Sequence, residues 1–379
     1  MIDLKEPAIL VVDDDEGVLR AVSRILSKKH GRVVEAKSGE GAIAAARREA
    51  FDLAIVDVRM PEMNGFDVMR ALKKESSDLD VIIMTGNVED PDENLLRAID
   101  EGAYYFIHKP FDRRVLLALV QRCLDLRRLR EEREMFLQRV ERELEEARQF
   151  QLSLLPPQEY QARGLAIAAR YQASNELAGD IYDYAETEDG GVSILVADVA
   201  GHGTSAAMVT GVVKAAFRAS HVDDFEPCKV VDRIREGIRD FDPGRFVTLF
   251  SARLHPDCDE LEYVNAGHPE AYIRGVGGEL RPLESTGPIL TSALPDVPCV
   301  QRTANLASGE SLLLYTDGVT EARAPEGMFG TERMLEAFLR SDPTGGGRLD
   351  AVLDALHAFT GGTAHEDDVT LLVLEREVA

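Results

Sequence analysis

The chain has 379 residues, too many for one ordinary core and enough for two domains with a connector. A formal net charge of −25 argues against nucleic acid as a partner, because phosphate contacts need clustered Lys and Arg. Hydrophobic residues make up 45%. Even so, no run approaches the roughly 18 apolar residues of a membrane span, and the amino terminus lacks a basic-then-apolar signal, so a cytoplasmic protein with no membrane partner is expected.

Along the first third, apolar runs from Ile9 to Val12, Leu53 to Val58, Val81 to Met84 and Tyr104 to Ile107 alternate with helical patterns such as Val18, Leu19, Val22, Ile25 and Leu26. Such alternation predicts an α/β doubly wound domain. Two of the runs lead into Asp13 and Asp57. A carboxylate at the end of a buried strand is costly unless water, a donor or a cation meets it. In a doubly wound sheet the carboxyl ends of the strands share one crevice, so Asp13, Asp14, Asp57, Thr85 and Lys109 can converge there. Asp13 and Asp14 can hold Mg²⁺ through oxygen, and Asp57 can act as a carboxylate nucleophile towards a phosphoryl group. Lys109 can pair with phosphoryl oxygens and Thr85 can donate to one of them.

Val11-Val12-Asp13-Asp14-Asp15, Asp57-Val58-Arg59-Met60-Pro61-Glu62-Met63-Asn64-Gly65, Met84-Thr85-Gly86 and Lys109-Pro110 together resemble a response-regulator receiver domain, placed at residues 1–124. The resemblance implies a five-stranded parallel sheet and transfer of phosphate from a partner histidine kinase to Asp57. It also implies Mg²⁺ held by Asp13, Asp14, Asp57 and the Arg59 carbonyl, and puts Phe106 at the switch-aromatic position.

Next, Leu119, Cys123, Leu126, Arg130, Arg133, Leu137, Val140, Leu144, Ala147, Gln151 and Leu154 step by four and three, a heptad pattern. No Gly or Pro occurs from Phe111 to Leu155, and Pro156-Pro157 would end the helix. A linker at residues 125–155, forming a homodimeric coiled coil, is the expectation. A solvated helical spacer is the alternative, because Arg130, Arg133 and Gln151 interrupt the seam. The four cysteines, Cys123, Cys228, Cys258 and Cys299, form no Cys-x-x-Cys pair and are expected to be reduced thiols.

Beyond Pro157, short alternating strands with Gly-rich turns are interrupted by helical stretches near Ser205 to Ala219 and Lys229 to Asp240, predicting an α+β domain over residues 156–379. Carboxylates lie in Gly179-Asp180-Ile181-Tyr182-Asp183, Asp198-Val199-Ala200-Gly201-His202-Gly203, Thr316-Asp317-Gly318 and Glu366-Asp367-Asp368-Val369-Thr370. Four acids from distant positions suit a pair of hard divalent cations that activate a water towards a phosphate ester. Glycines beside the acids would permit backbone bends near the metals.

These motifs, with Gln151-Leu152-Ser153-Leu154-Leu155-Pro156, Asn265-Ala266-Gly267-His268-Pro269 and Tyr315-Thr316-Asp317-Gly318-Val319-Thr320-Glu321-Ala322, resemble the bacterial PPM-type serine/threonine phosphatases related to RsbU and SpoIIE. The resemblance implies a β-sandwich flanked by helices and two Mn²⁺ or Mg²⁺ ions. Asp180 would bridge both ions, Asp198 and the Val199 carbonyl would serve one, and Asp317 with Asp367 the other. Asp180 and Asp198 thus carry the catalytic role through the activated water. Asp183 and Asp368 would hydrogen-bond metal waters, and His202 or His268 could be a general acid. The implied substrate is phosphoserine or phosphothreonine on an STAS-type anti-sigma-factor antagonist, under control of Asp57. The alternative is a sigma-factor adaptor with a non-catalytic phosphatase fold. A DNA-binding regulator fits poorly, since no compact basic helix-turn-helix segment is present.

Overall fold

The structure, a computed structural model, describes residues 6–86, 102–162, 164–201, 203–242, 244–256, 259–294, 297–340, 344–363 and 365–377. His202 and Cys258 lie outside the described residues. Contacts divide the chain into two compact units, Met1–Val140 and Glu141–Ala379.

In the first unit, the parallel strands run in the order Arg32–Ala36, Ala8–Val12, Leu53–Asp57, Asp80–Thr85, Tyr105–His108. This is the five-stranded doubly wound sheet that the alternating runs predict. Ala8–Val12 and Leu53–Asp57 are buried throughout because helices cover both faces of the sheet. The helices Gly39–Ala46 and Gly65–Glu75 pack on one side. On the other side lie Glu16–Leu26, capped by the Asp15 carboxylate, and the start of the helix Arg113–Leu154, whose Leu116, Val120 and Cys123 are buried.

That last helix has 42 residues. It ends where Pro156-Pro157 forbids another turn. Leu129, Phe136, Leu137 and Phe150 along it stand exposed.

The second unit is a sandwich of two antiparallel sheets. One runs Arg302–Asn305, Glu260–Ala266, Phe246–Leu254, Val192–Val199, Asp180–Glu186. The other runs Leu280–Leu283, Ala271–Arg274, Ser311–Tyr315, Val369–Arg376, Leu165–Gln172, Glu159–Ala162. Strand parity sorts the side chains. Tyr182, Tyr184, Ile194, Val196, Phe250 and Ala252 from the first sheet meet Leu312, Leu314, Leu372 and Leu374 from the second in one inner core. The outer face of the first sheet is covered by the helices Thr204–Ala219 and Pro227–Gly237. The outer face of the second is covered by Gly330–Arg340 and Gly345–Thr360.

The expectation of unpaired thiols is corrected here. Cys228, at the start of the helix Pro227–Gly237, is bonded to Cys299, with Cα atoms 5.7 Å apart. The two are 71 residues apart in sequence, and folding of the helix onto the outer sheet face brings them together. Cys123 is a buried free thiol whose pKa burial pushes well up, so it is inert.

Candidate functional site

Asp13 follows the strand Ala8–Val12 and Asp57 ends its neighbour, so parallel pairing delivers both carboxylates to the same sheet edge. Lys109 joins them, with Nζ 2.6 Å from Asp13 Oδ2 and 2.5 Å from Asp57 Oδ1. Burial lowers the Lys109 pKa, but its bonds to the two aspartates outweigh that and leave it raised. Burial also raises the Asp57 pKa despite the ammonium beside it. The Arg59 amide donates to Asp57 Oδ2 at 3.1 Å and the Asp15 amide to Asp13 Oδ1 at 3.0 Å. Asp14 is exposed, yet Asp13, Asp14 and Asp57 can each offer an oxygen within 4.8 Å of the others. Such an all-oxygen set fits Mg²⁺. Thr85 is buried, with its hydroxyl donating to the Gly86 carbonyl at 3.2 Å. Phe106 packs in the core edge-on to the His108 ring, 5.0 Å between centroids.

In the second unit the inner-face parity runs on from the apolar core into polar residues at one end of the sandwich. Asp180 lies directly across from Asp198, and Asp198 across from Thr248, so their side chains leave the same face as Tyr182, Val196 and Phe250. From the facing sheet, Thr316 and Thr370 carry on the parity of Leu314 and Leu372. Both hydroxyls donate to Asp180 Oδ2, at 2.7 and 2.6 Å. Asp180 is buried, and its pKa is raised well above the usual range by burial first and by the neighbouring Asp198 second. Burial raises Asp198 to about 7, with Asp317, Asp367 and Asp368 adding repulsion. Thus Asp180, Asp198, Asp317 and Asp367 meet electrostatically at this edge.

The set is wider than the receiver's. Among the described residues only Asp13, Asp14 and Asp57 bring three ligand atoms within 4.8 Å of one another, and Asp367 is exposed. A pair of cations about 3.5–4 Å apart calls for such a spread. Gly318, between Asp317 and the Asp367-Asp368 turn, matters for close approach rather than for a bend, because an added Cβ would overlap the Asp368 carbonyl oxygen.

Two expected roles, those of Asp183 and His268, are not what the geometry provides, whereas Asp368 stays beside Asp198. Asp183 lies three residues after Asp180 and therefore on the opposite face of its strand. It is fully buried under the helix Thr204–Ala219, held by Lys214 at 2.8 Å and Arg218 at 2.5 Å. Asp368 accepts the Gly179 amide at 2.7 Å on Oδ2, and the Ser174 amide and hydroxyl at 2.8 and 3.0 Å on Oδ1, so it ties loops together. His268 is buried, with Nδ1 2.9 Å from the Thr248 hydroxyl, and burial pushes its pKa down to about 3. A neutral imidazole of that kind supports Thr248 and is no general acid. Thr316 and Thr370 escaped the sequence reading; the signal was their two-residue offset from core leucines on the same strands.

The family model for Stage II sporulation protein E (SpoIIE) matches residues 188–377, half of the chain. The chain belongs to the SpoIIE family. The response regulator receiver domain model matches residues 9–121, so a receiver domain is joined to a SpoIIE-type PPM phosphatase domain. The chain is similar to Protein IcfG of Synechocystis sp., 28% identical over 263 residues that make up 62% of this chain and 41% of IcfG. It is also similar to phosphoserine phosphatase RsbU of Bacillus subtilis, 27% identical over 246 residues, 64% of this chain and 72% of RsbU. It thus spans well under half of IcfG. The SiaA-PP2C domain of Pseudomonas aeruginosa shares the fold, with a TM-score of 0.55 at 20% identity over 63% of this chain and 98% of that domain. Asp198, Asp317 and Asp367 fall inside the SpoIIE match, whereas Asp180 precedes it and joins them through its pairing with Asp198.

The crowding of carboxylates in the SpoIIE domain has a measurable consequence. A folded pKa near 7 for Asp198, against 3.8 ordinarily, means that its contribution to stability is complete below about pH 4 and is lost as pH rises through about 7. Metal-free protein is therefore expected to melt at progressively lower temperature from pH 5 to pH 8. Mn²⁺ added at pH 8 should restore the loss, and Asp198→Asn should flatten the profile. Thermal melts in chelator across that range check it; parallel profiles for the wild type and Asp198→Asn contradict it.

Proposed function

We propose that the chain is a two-component response regulator whose output is metal-dependent dephosphorylation of phosphoserine or phosphothreonine on an STAS-type anti-sigma-factor antagonist, governed by phosphorylation of Asp57. The observation carrying this reading is the gathering of Asp180, Asp198, Asp317 and Asp367 where the two inner sheet faces end. Asp180 would serve both cations, Asp198 and the Val199 carbonyl would serve one, and Asp317 with Asp367 would serve the other. Two bound Mn²⁺ or Mg²⁺ ions supply Lewis acidity and lower the pKa of water. The protein's part is to present ionised, oriented oxygens. Thr316 and Thr370 help by donating to Asp180 Oδ2, which favours its charged form.

At the receiver, Asp13, Asp14, Asp57 and the Arg59 carbonyl would hold Mg²⁺, and a histidine kinase would supply the phosphoryl group. The Asp57 carboxylate would attack phosphorus as the P–N bond of the kinase phosphohistidine breaks and its imidazole leaves, and Lys109, already between Asp13 and Asp57, would pair with the added charge. Thr85 can exchange its bond to the Gly86 carbonyl for one to a phosphoryl oxygen, and Phe106 follows it as the switch aromatic. The helix Arg113–Leu154 leads from the receiver into the phosphatase entry motif, and its exposed Leu129, Phe136, Leu137 and Phe150 suit a homodimeric coiled coil. These assignments make residues 1–124 the receiver, 125–155 the linker and 156–379 the phosphatase.

Incubation with phosphorylated STAS-type antagonists and Mn²⁺ tests the substrate; release of phosphate from a small ester but from none of these proteins would redirect it. Control by Asp57 is tested with beryllofluoride, an acyl-phosphate mimic. A change in rate of about tenfold or more is expected, in line with typical coupling of 1–3 kcal/mol, and it should vanish in Asp57→Ala. Equal rates with an unchanged oligomeric state would remove the coupling.

A further inference from the structure

Gln151 interrupts the apolar seam of the long helix, yet it is 7% exposed. Its amide makes a two-point bond with the Ala178 backbone: Nε2 donates to the carbonyl at 2.7 Å, and Oε1 accepts the N–H at 3.0 Å. Nε2 also lies 3.2 Å from Thr210 Oγ1, on the helix Thr204–Ala219 that follows the strand carrying Asp198. Ala178 and Gly179 form the turn into Asp180. Gly179 in turn abuts the end of the Asp198 strand: its carbonyl accepts the Val199 amide at 3.1 Å, and a Cβ there would stand 2.6 Å from the Val199 carbonyl oxygen. One buried amide thus touches the turn that leads into the Asp180 strand and the helix that follows the Asp198 strand.

The end of the same helix is fastened further along that strand. Tyr182 and Tyr184 hydroxyls donate to the Pro156 and Pro157 carbonyls at 3.3 and 2.9 Å. Leu155 packs against both the inner core and the core under the outer helices. The helix end is thus held at two places on the Asp180 strand, and the Gln151 amide is bonded to the Ala178-Gly179 turn that meets Val199.

We propose that Gln151 is a positioning residue that fixes the Ala178-Gly179 turn, and through it the start of the Asp180 strand, where Asp180 and Asp198 bind a divalent cation. The inference rests on the metal-site reading above and adds the residue that maintains the site from the linker helix. Gln151 reaches no acid directly and acts through backbone. Its loss should therefore weaken cation binding more than it slows the cation-saturated enzyme.

In the full-length protein, Mn²⁺ binding is read by electron paramagnetic resonance, and turnover is followed on a phosphoserine protein across Mn²⁺ concentrations. Gln151→Leu, similar in volume, should bind Mn²⁺ about 10-fold to 100-fold more weakly, the range usual for outer partners of metal ligands. Its rate at saturating Mn²⁺ should stay within about threefold, since no ligand is changed. Gln151→Glu keeps an acceptor for the Ala178 N–H but has no donor for its carbonyl, and should fall between the wild type and Gln151→Leu. If Gln151→Leu does not fold, Gln151→Glu decides alone.

Wild-type Mn²⁺ affinity in the folded variants overturns the proposal, as does a loss of saturated rate without a change in affinity. A wild-type protein that binds Mn²⁺ but hydrolyses no phosphoprotein removes the phosphatase reading and leaves this one standing. A wild type that binds no Mn²⁺ at the Asp180–Asp198 edge removes both.

Discussion

Asp198→Ala is expected to lower phosphatase turnover by on the order of 10³-fold or more. Cation-assisted charge stabilisation is worth several kcal/mol, and each ~1.4 kcal/mol is tenfold in rate. The same change relieves carboxylate crowding, so the variant should be at least as stable as the wild type near neutral pH when metal is absent. Loss of turnover in a protein that melts no earlier distinguishes a catalytic defect from misfolding. The experiment also separates the enzyme from a phosphorylation-controlled adaptor. An adaptor would keep its effect on a purified partner after Asp198→Ala, whereas an enzyme would lose it together with phosphate release.

Asp183→Ala should have the opposite signature, a large loss of stability with the chemistry intact in the protein that remains folded. The carboxylate is fully buried between Lys214 and Arg218, and the Lys214 side chain is only 15% exposed. Burial already holds the Lys214 pKa below its ordinary value, and removing Asp183 leaves that ammonium in a dry site without its counter-charge. Breaking a buried pair from one side costs about 3–5 kcal/mol. For a unit of this size that corresponds to a fall in Tm of roughly 6–20 °C. Replacing Lys214 with Met in the same chain should recover much of it. Calorimetry measures the fall, and Mn²⁺-saturated turnover at low temperature checks the second half; a variant that is stable but inactive would return Asp183 to the metal site.

The contrast between Asp180 and Asp183 marks how far the sequence could be read. Strand runs ending in aspartate were visible in both units because burial forces continuous apolar stretches and the acid that ends them stands out. The doubly wound class of the receiver follows from the same patterns, whereas the sandwich of the second unit follows only from the family resemblance. Asp183 went astray because a motif was read as a string, whereas a strand turns every second residue away. Parity alone places Asp183 outside and Thr370 inside, with no coordinates needed. Other features had no local signal. The Cys228–Cys299 bond joins residues 71 apart, and nothing near either one announces the other. Gln151 looked like a flaw in a heptad seam, and its partners, Ala178 and Thr210, lie 27 and 59 residues downstream. His268, beside Gly267, reads as a candidate general acid in sequence, but its burial is set by tertiary packing and favours the neutral form.

Gly318 has a consequence for genetics. Every missense change reachable by one base from a glycine codon installs a Cβ, and at this position any Cβ collides with the backbone carbonyl of Asp368. No conservative replacement is therefore open to it. In a mutagenesis screen, position 318 should behave as an all-or-none site: every recovered missense allele inactive, whether the new side chain is small, charged or apolar. Revertants should be restricted to restored glycine or to second changes that move the Asp367-Asp368 turn.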